Sequence, residues 1–367
     1  MSSLRRSLNW LFVVLVLVGT FLLVSGLYLQ WQQIKQAHQL RQHSQVLLIS
    51  NAMHSLLVSQ ETLLALPGRQ ALFHWRLDQL EAIDAILQQI LDINANAAAY
   101  ALLDVEGNPI AWRWRPLAAD LDGLTPTLIE YSGCDGAVGS DGAMAIGRPL
   151  RIDALNRWLL PVCQALEDET QQIGGFIAAA LLLEGPNSFI ENQAILGPTN
   201  IVQVIREAGL QPILWGTSLD IPPDYLAEPI PLSFYEQAIE SAERLSGQSI
   251  DQLRASGQPA RFQFINSAGQ QLGTAIHDSR YRFWVLSQTS RSELIEQLKG
   301  FGWTYGASYL AVLLAFLVMI VAINRAERRR RQELVYQAGH DMLTGLPNRQ
   351  SMRGCSKFCV NVIPITG

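Results

Sequence analysis

The chain has 367 residues, 49% of them hydrophobic and only 16% charged, and its mean hydropathy is +0.14. This composition excludes a disordered chain and an ordinary soluble surface. Two stretches without any charged side chain, residues 7–34 and 300–324, account for the bias. Each exceeds the roughly 20 apolar residues that cross a bilayer as a helix, which excludes a cytosolic enzyme.

In chain order, residues 1–8 carry Arg5 and Arg6 and precede a predicted spanning helix over 9–30. A second spanning helix is predicted over 303–324, followed by Arg325 and the run Arg328–Arg331. The net charge of −5 hides an asymmetry. Residues 35–299 hold 17 Lys and Arg against 29 Asp and Glu, whereas the two flanks together hold 10 basic and 3 acidic residues. Basic residues beside membrane ends stay in the cytoplasm. Both termini are therefore expected inside and residues 31–302 outside, in the periplasm if the membrane is a bacterial inner membrane. Trp10, Trp31 and Trp303 stand where interfacial indoles anchor spans. The first apolar run is longer than the 7–15 residues of a signal-peptide core and has no small-x-small site before Gln30, so it reads as an uncleaved anchor.

The outer segment begins with helices, over 31–98. Leu80, Ile83, Leu87 and Ile90 recur at helical spacing, as do Leu77, Asp84 and Leu91. Pro67-Gly68 is expected to separate a helix over 32–65 from one over 71–93. At Ala99 the period changes to extended, and AYALLDV, the turn EGN and PIAWRW read as a β-hairpin. Strands are predicted over 157–165 and 175–183, the second apolar enough to be central. The order then repeats: a helical NIVQVIREAG, the stretch LQPILWGT, a helix over 232–245, and strands over 261–265, 271–276 and 280–288, with a turn at Ser267-Ala268-Gly269.

The fold class is thus α+β, with antiparallel sheets carrying helices to one side. Two such modules, 99–185 distal and 186–298 proximal to the membrane, lie in sequence between two spans and resemble the double Cache sensor domains of bacterial receptors. A single Cache module or a helical sensor is the alternative.

The sharpest motif follows the second span, after an expected cytoplasmic signalling helix over 325–340. His340-Asp341-Met342-Leu343-Thr344-Gly345-Leu346-Pro347-Asn348-Arg349 is similar to the HDxLTGLxNR opening of GGDEF domains, the diguanylate cyclase family. Agreement falls on Asp341, Leu343, Thr344, Gly345, Leu346, Asn348 and Arg349. Locally, Asp341 can cap a turn, Gly345 permits positive φ and Asn348 can begin a helix. The resemblance implies, for a complete member, condensation of two GTP into cyclic di-GMP by a homodimer with magnesium. The stretch QSMRGCSKFCVNVIPITG after Arg349 contains no carboxylate side chain and no GG(D/E)EF. Without Asp or Glu, magnesium has no ligands there. Residues 341–367 therefore read as a truncated, catalytically inactive start of that domain, with no cofactor of its own. The loss of family character after Met352 is what a frameshift, a premature stop or a gene-end artefact produces.

Other candidates are weaker. Trp112-Arg113-Trp114-Arg115 places two indoles on one face of a strand and two guanidiniums on the other. Aromatics with Arg can hold a small extracytoplasmic carboxylate or amine ligand, with Asp104, Tyr131 and Arg148 as neighbours. Alternatively the tryptophans pack on the long helix and the arginines are solvated. Cys134 and Cys163 either pair as a disulfide, which an oxidising compartment allows, or stay free. Cys355 and Cys359, spaced C-x3-C, lack the further Cys or His that zinc needs, and the six histidines show no metal-ligand spacing. The Arg run beside a span is a topology signal and a contact for anionic lipid, so the bilayer and not nucleic acid is the expected partner. The output class stays open between a cyclic di-GMP family sensor and a chemoreceptor- or kinase-type receptor acting through a partner.

Overall fold

The computed structural model of the chain describes residues 2–115, 133–134, 144–152, 157–168, 171–183, 201–216 and 226–340. The chain forms two compact units, Met1–Gln32 with Gln297–Gly367, and Gln33–Glu296.

Two helices contribute to the first unit, α1 (Ser2–Arg76) and the last helix of the described chain (Arg291–Gly339). Both are long and apolar enough to cross a membrane. Leu17, Phe21, Leu22, Leu310 and Leu314 are largely exposed, as side chains that face lipid must be. The two apolar stretches touch through Tyr309, whose hydroxyl donates to the Val16 carbonyl (3.0 Å) and lies 3.0 Å from Thr20 Oγ1. The Tyr309 ring lies over Gly19, where an added Cβ would come within 2.5 Å of Cε2. Small residues at such crossings let helices approach closely. The Arg291–Gly339 helix runs without a break through the basic cluster up to His340. Residues 341–367, with the GGDEF-like motif, Cys355 and Cys359, lie outside the described residues.

The second unit is built on α1. Val46, Met53, Leu57, Leu64 and Ala71 recur every four or seven residues and are essentially buried, so the helix offers one continuous apolar stripe. The Pro67-Gly68 break expected from the sequence does not occur. Pro67 lies inside α1, and Gly68 meets Leu166 and Ile177 so closely that a Cβ would sit 2.8 Å from Leu166 Cδ2. Here the glycine serves close approach of helix to sheet, and packing over the whole stripe offsets the one hydrogen bond that proline removes. The helix ends at Arg76, where Asp78 adopts positive φ (57°) and the His74 carbonyl accepts from Leu77 N and Gln79 N. Helix α2 (Leu80–Ile93) buries Ile83, Ile86, Leu87, Ile90 and Leu91 and leaves Leu80 exposed.

Strands β1 (Ala97–Leu103), β2 (Pro109–Trp114), β3 (Ala145–Ile146), β4 (Leu150–Ile152), β5 (Arg157–Glu167) and β6 (Ile173–Leu182) form an antiparallel sheet in the order β2-β1-β6-β5-β3, with β4 also on β5. The apolar β6 is central, as its composition requires. The β1–β2 turn is held by Asp104, whose carboxylate accepts from Glu106 N (2.9 Å), Asn108 N (2.8 Å) and Asn108 Nδ2 (3.0 Å). Its slight burial pulls the carboxyl up, but these bonds outweigh that and hold it below the usual value.

A second antiparallel sheet follows, in the order β8-β7-β11-β10-β9, made of β7 (Ile201–Arg206), β8 (Pro212–Gly216), β9 (Ala260–Asn266), β10 (Gly269–Asp278) and β11 (Phe283–Ser290). The NIVQVIREAG segment, expected as a helix, is strand β7. Val202 and Val204 enter the α1-side core while Gln203 and Ile205 face the opposite side. A strand covered on both faces shows apolar residues at i, i+1, i+3 and i+4, which imitates a helical period. Residues 280–282 form a turn, so the last strand starts at Phe283 instead of Arg280.

Helices also lie on both sides of this sheet, where one side was expected. Val202, Val204, Ile276, Phe283 and Val285 pack in one core with Met53 and Leu57 of α1. The other face is covered by α3 (Leu232–Ser246) and α4 (Ile250–Ser256). Helix α3 also closes the β9 edge, because Ser241 Oγ accepts from Gln263 N (2.7 Å) and Gln237 Oε1 from Ile265 N (3.2 Å). Gly247 ends α3 at φ 71°, and a Ser249–Gln252 capping box starts α4.

Candidate functional site

The covered face of the second sheet encloses a cavity of about 290 Å³. Its floor is set by register. Gly273 lies between Gln288 and Phe262, and Ala275 between Leu286 and Ala260, so small side chains occupy the middle of the sheet and leave room above it. Trp284 and Ile205 bound the floor at one end, and the Phe262 ring lies over Gly273. The roof is Phe234, Ala238, Ile239 and Ala242 of α3 with Ile250 and Leu253 of α4. Phe234 stacks toward Phe264 (5.6 Å between centroids), which in turn lies 6.1 Å from Phe262. Residues 228–231 also line the cavity, tied down where Ile230 N donates to the Leu210 carbonyl and Gln211 Nε2 to the Leu226 carbonyl.

Polar groups are few. Gln203, Gln288, Asn266, Tyr235 and Glu228 line the cavity, and among the described residues no Lys or Arg does. Asn266 is occupied, since its Oδ1 accepts from Ala268 N and Gln271 Nε2. Gln288 is 5% exposed, and its amide has no partner among the described residues. Concave, mostly apolar and supplied with a few inward polar groups, this is the form of a small-molecule site.

Beside the cavity lies a charged cluster. Glu207 pairs with Arg254 (2.8 Å) and reaches Arg282 and His277 (3.6 Å each). His277 is buried against Trp284, with 4.7 Å between ring centroids. Burial holds its imidazole below the ordinary value, against the opposing pull of Glu207. The unfolded chain takes up a proton at position 277 near pH 6.5, whereas the folded chain resists it. This contribution to stability is therefore complete above pH about 6.5 and declines as pH falls toward the folded value. Urea unfolding at pH 7 and pH 5 is expected to show a loss in the wild type that is smaller in His277→Gln. Equal losses in the two proteins would contradict it.

The residues singled out from sequence lie elsewhere, on the first sheet. Among the described residues, Arg113 and Arg115 make their contacts with α2. Arg113 Nη2 donates to Asp84 Oδ2 of α2 (2.5 Å). Arg115 caps α2, donating to the carbonyls of Leu91 (2.5 Å), Asn94 (2.9 Å) and Ala97 (3.1 Å). Nearby, Asn94 donates to Gln60 and to the Tyr100 hydroxyl (2.6 Å), whose pKa burial pushes up to about 12. The arginines thus hold the helix side, Arg113 remaining 44% exposed there, while the tryptophans, placed on the long helix in one reading, lie on the opposite face. Trp112 and Trp114 face the other way, over Ala101, Leu103 and Phe176 and over Ala99 and Leu159. Asp104 serves the hairpin turn, Arg148 is exposed, and Tyr131 lies outside the described residues. Cys134 and Cys163 are joined by a disulfide, with Cα atoms 5.2 Å apart. Among the described residues no group of His, Cys, Asp and Glu could hold a metal.

The cavity was missed because its lining is dispersed. A usable signal was the alternation Ala260-x-Phe262-x-Phe264 and Trp284-x-Leu286-x-Gln288, in which a polar residue continues an apolar face.

No family model and no curated protein matches the chain. Among solved structures, the fold is similar to the periplasmic sensory domain of the Campylobacter jejuni chemoreceptor Tlp1, with a TM-score of 0.51 at 10% identity over 71% of this chain and 98% of that one. Also similar are the ligand-binding domain of the Pseudomonas fluorescens chemoreceptor CtaA in complex with L-isoleucine (TM-score 0.45, 13% identity, 73% and 98% covered) and that of C. jejuni Tlp3 in complex with L-norvaline (0.43, 11%, 71% and 94%). The segment between the two apolar stretches thus has the fold of a periplasmic sensory domain.

Proposed function

We propose that this chain is a membrane receptor that binds a small molecule outside the cytoplasm and passes the signal inward through a partner, as chemoreceptors and sensor kinases do. The observation that carries this reading is the 290 Å³ apolar cavity enclosed by the second sheet, α3 and α4, in a sensory-domain fold. In chain order that fold stands between two helices apolar enough to span a bilayer. The acidic outer segment and the Arg clusters beside each span support a bacterial inner-membrane location with both termini cytoplasmic. A homodimer is the expected working state.

The test is a thermal-shift screen of the full chain in lipid nanodiscs against amines, organic acids, alcohols, ketones and amino acids. At least one class is expected to raise Tm in the wild type and not in Ala275→Phe, whose ring would fill the cavity from its floor. No shift with any class, or shifts unaffected by the substitution, would overturn the proposal.

A second reading is favoured by one observation, the HDMLTGLPNR sequence at 340–349. It supports descent from cyclic di-GMP signalling proteins and makes that nucleotide the output to assay. Residues 350–367 contain no Asp or Glu to hold magnesium, so this stretch is expected to support no cyclic di-GMP formation from GTP. Measured product would replace the partner-mediated output with this one.

A further inference from the structure

The composition of the cavity wall says more than that a ligand fits. We infer that the site takes an uncharged molecule with an apolar body and a single hydroxyl or carbonyl group, which pairs with the Gln288 amide, and that it rejects carboxylates and zwitterionic amino acids. This rests on the cavity being the ligand site proposed above.

Three observations converge. First, among the described residues no Lys or Arg lines the cavity, and the one charged side chain in its lining is Glu228. A carboxylate there would lose its hydration without gaining a cation, and would face the like charge of Glu228. A free amino acid carries that same carboxylate. Second, the lining is mostly apolar and includes Phe234, Phe262, Phe264, Trp284, Leu286 and Ile205. Such a wall stabilises an apolar body by removing it from water. Third, Gln288 is buried, faces this wall and has no partner for its amide among the described residues. A carboxamide can both donate and accept, so either a hydroxyl or a carbonyl satisfies it. Left unpaired, a buried amide is destabilising, so a ligand that supplies the missing bond is favoured over a plain hydrocarbon.

Size narrows the class. An engineered apolar cavity of about 150 Å³ accepts benzene. The volume here, about 290 Å³, then suits a molecule of roughly a dozen non-hydrogen atoms. An aryl or branched alkyl alcohol or ketone meets all three requirements.

The test compares four probes of nearly equal size on the full chain in nanodiscs: phenylbutanol, butylbenzene, phenylbutyrate and L-phenylalanine. Binding is read by saturation-transfer NMR, with the signal remaining in the cavity-filled variants Ala275→Phe and Ala238→Phe subtracted to remove partition into lipid. Phenylbutanol is expected to bind at least tenfold more tightly than phenylbutyrate and L-phenylalanine. Gln288→Leu is expected to weaken phenylbutanol by about tenfold while leaving butylbenzene unchanged or tighter. Cavity-specific binding of phenylbutyrate or L-phenylalanine equal to that of phenylbutanol would overturn the ligand class and leave the receptor reading intact. No cavity-specific signal from any of the four would overturn the ligand class, while the receptor reading falls only if the thermal-shift screen also finds no class that binds. Equal loss of phenylbutanol and butylbenzene in Gln288→Leu, with an unchanged wild-type melting profile, would overturn the role of the amide.

Discussion

Gly175→Val is expected to lower the melting temperature of the chain by roughly 6–12 °C, equivalent to about 3 kcal/mol, the upper end of the overpacking range. Gly175 lies in β6, where an added Cβ would come 2.6 Å from the Leu103 carbonyl oxygen and 3.1 Å from Leu72 Cδ1. The first of these is backbone of the neighbouring strand and cannot swing aside. The second belongs to α1, so the collision separates both strand from strand and helix from sheet. Gly107→Ala is the matched control. That glycine sits at φ 84° in the β1–β2 turn with nothing near its missing Cβ, so only the strain of positive φ applies, about 1–2 kcal/mol. Thermal unfolding followed by circular dichroism ranks the two. A smaller effect at Gly175 than at Gly107 would show that α1 does not rest on β6 as described.

Reduction of the Cys134–Cys163 bond is expected to have an effect of similar size. The bond closes a loop with a sequence separation of 29. Restricting the unfolded chain over such a loop stabilises the fold by about 3.5 kcal/mol in the chain-entropy account. Cys163 is fully buried on β5, next to Ala178 of β6, so reduction also loosens the attachment of residue 134 to the sheet centre. Melting with and without dithiothreitol measures the difference, and the Cys134→Ala, Cys163→Ala double variant should melt with the reduced protein. An oxidised protein that melts at the same temperature as the reduced one would contradict this account.

The sequence revealed what depends on local pattern. Charge-free runs mark the two apolar helices, the EGN turn fixes the first hairpin, and the continuous apolar stretch around Ala178 places β6 in the middle of its sheet. Where two influences compete at one residue, the reading failed. Pro67-Gly68 carries a breaker signal locally, yet Gly68 is required by the side chains of Leu166 and Ile177, which are about a hundred residues away in sequence. Ile201–Arg206 has a helical period only because both faces of the strand are covered. The Trp112–Arg115 alternation was legible as geometry but not as purpose, because the helix end that Arg115 caps is defined by Leu91 and Asn94. The cavity required the most distant information. Its floor depends on Gly273 falling opposite both Phe262 and Gln288, a matter of strand register that composition does not encode.

Helix α1 is shared by both sheets. Gln42 donates to the Leu272 carbonyl and to Thr289, Gln45 accepts from Ser287, and Glu61 binds Arg280 and Tyr281, all in the second sheet or its last turn. On the same helix, Gln60 accepts from Asn94, and further along Arg76 reaches Asp168 beside the first sheet. Two β-layers are therefore pinned to a single axle by directional bonds at known heights. A slip of one turn, about 5.4 Å, would unmake every one of these pairings at once. Sliding of either layer along the axle is therefore blocked, and rotation and tilt are the movements these bonds leave open.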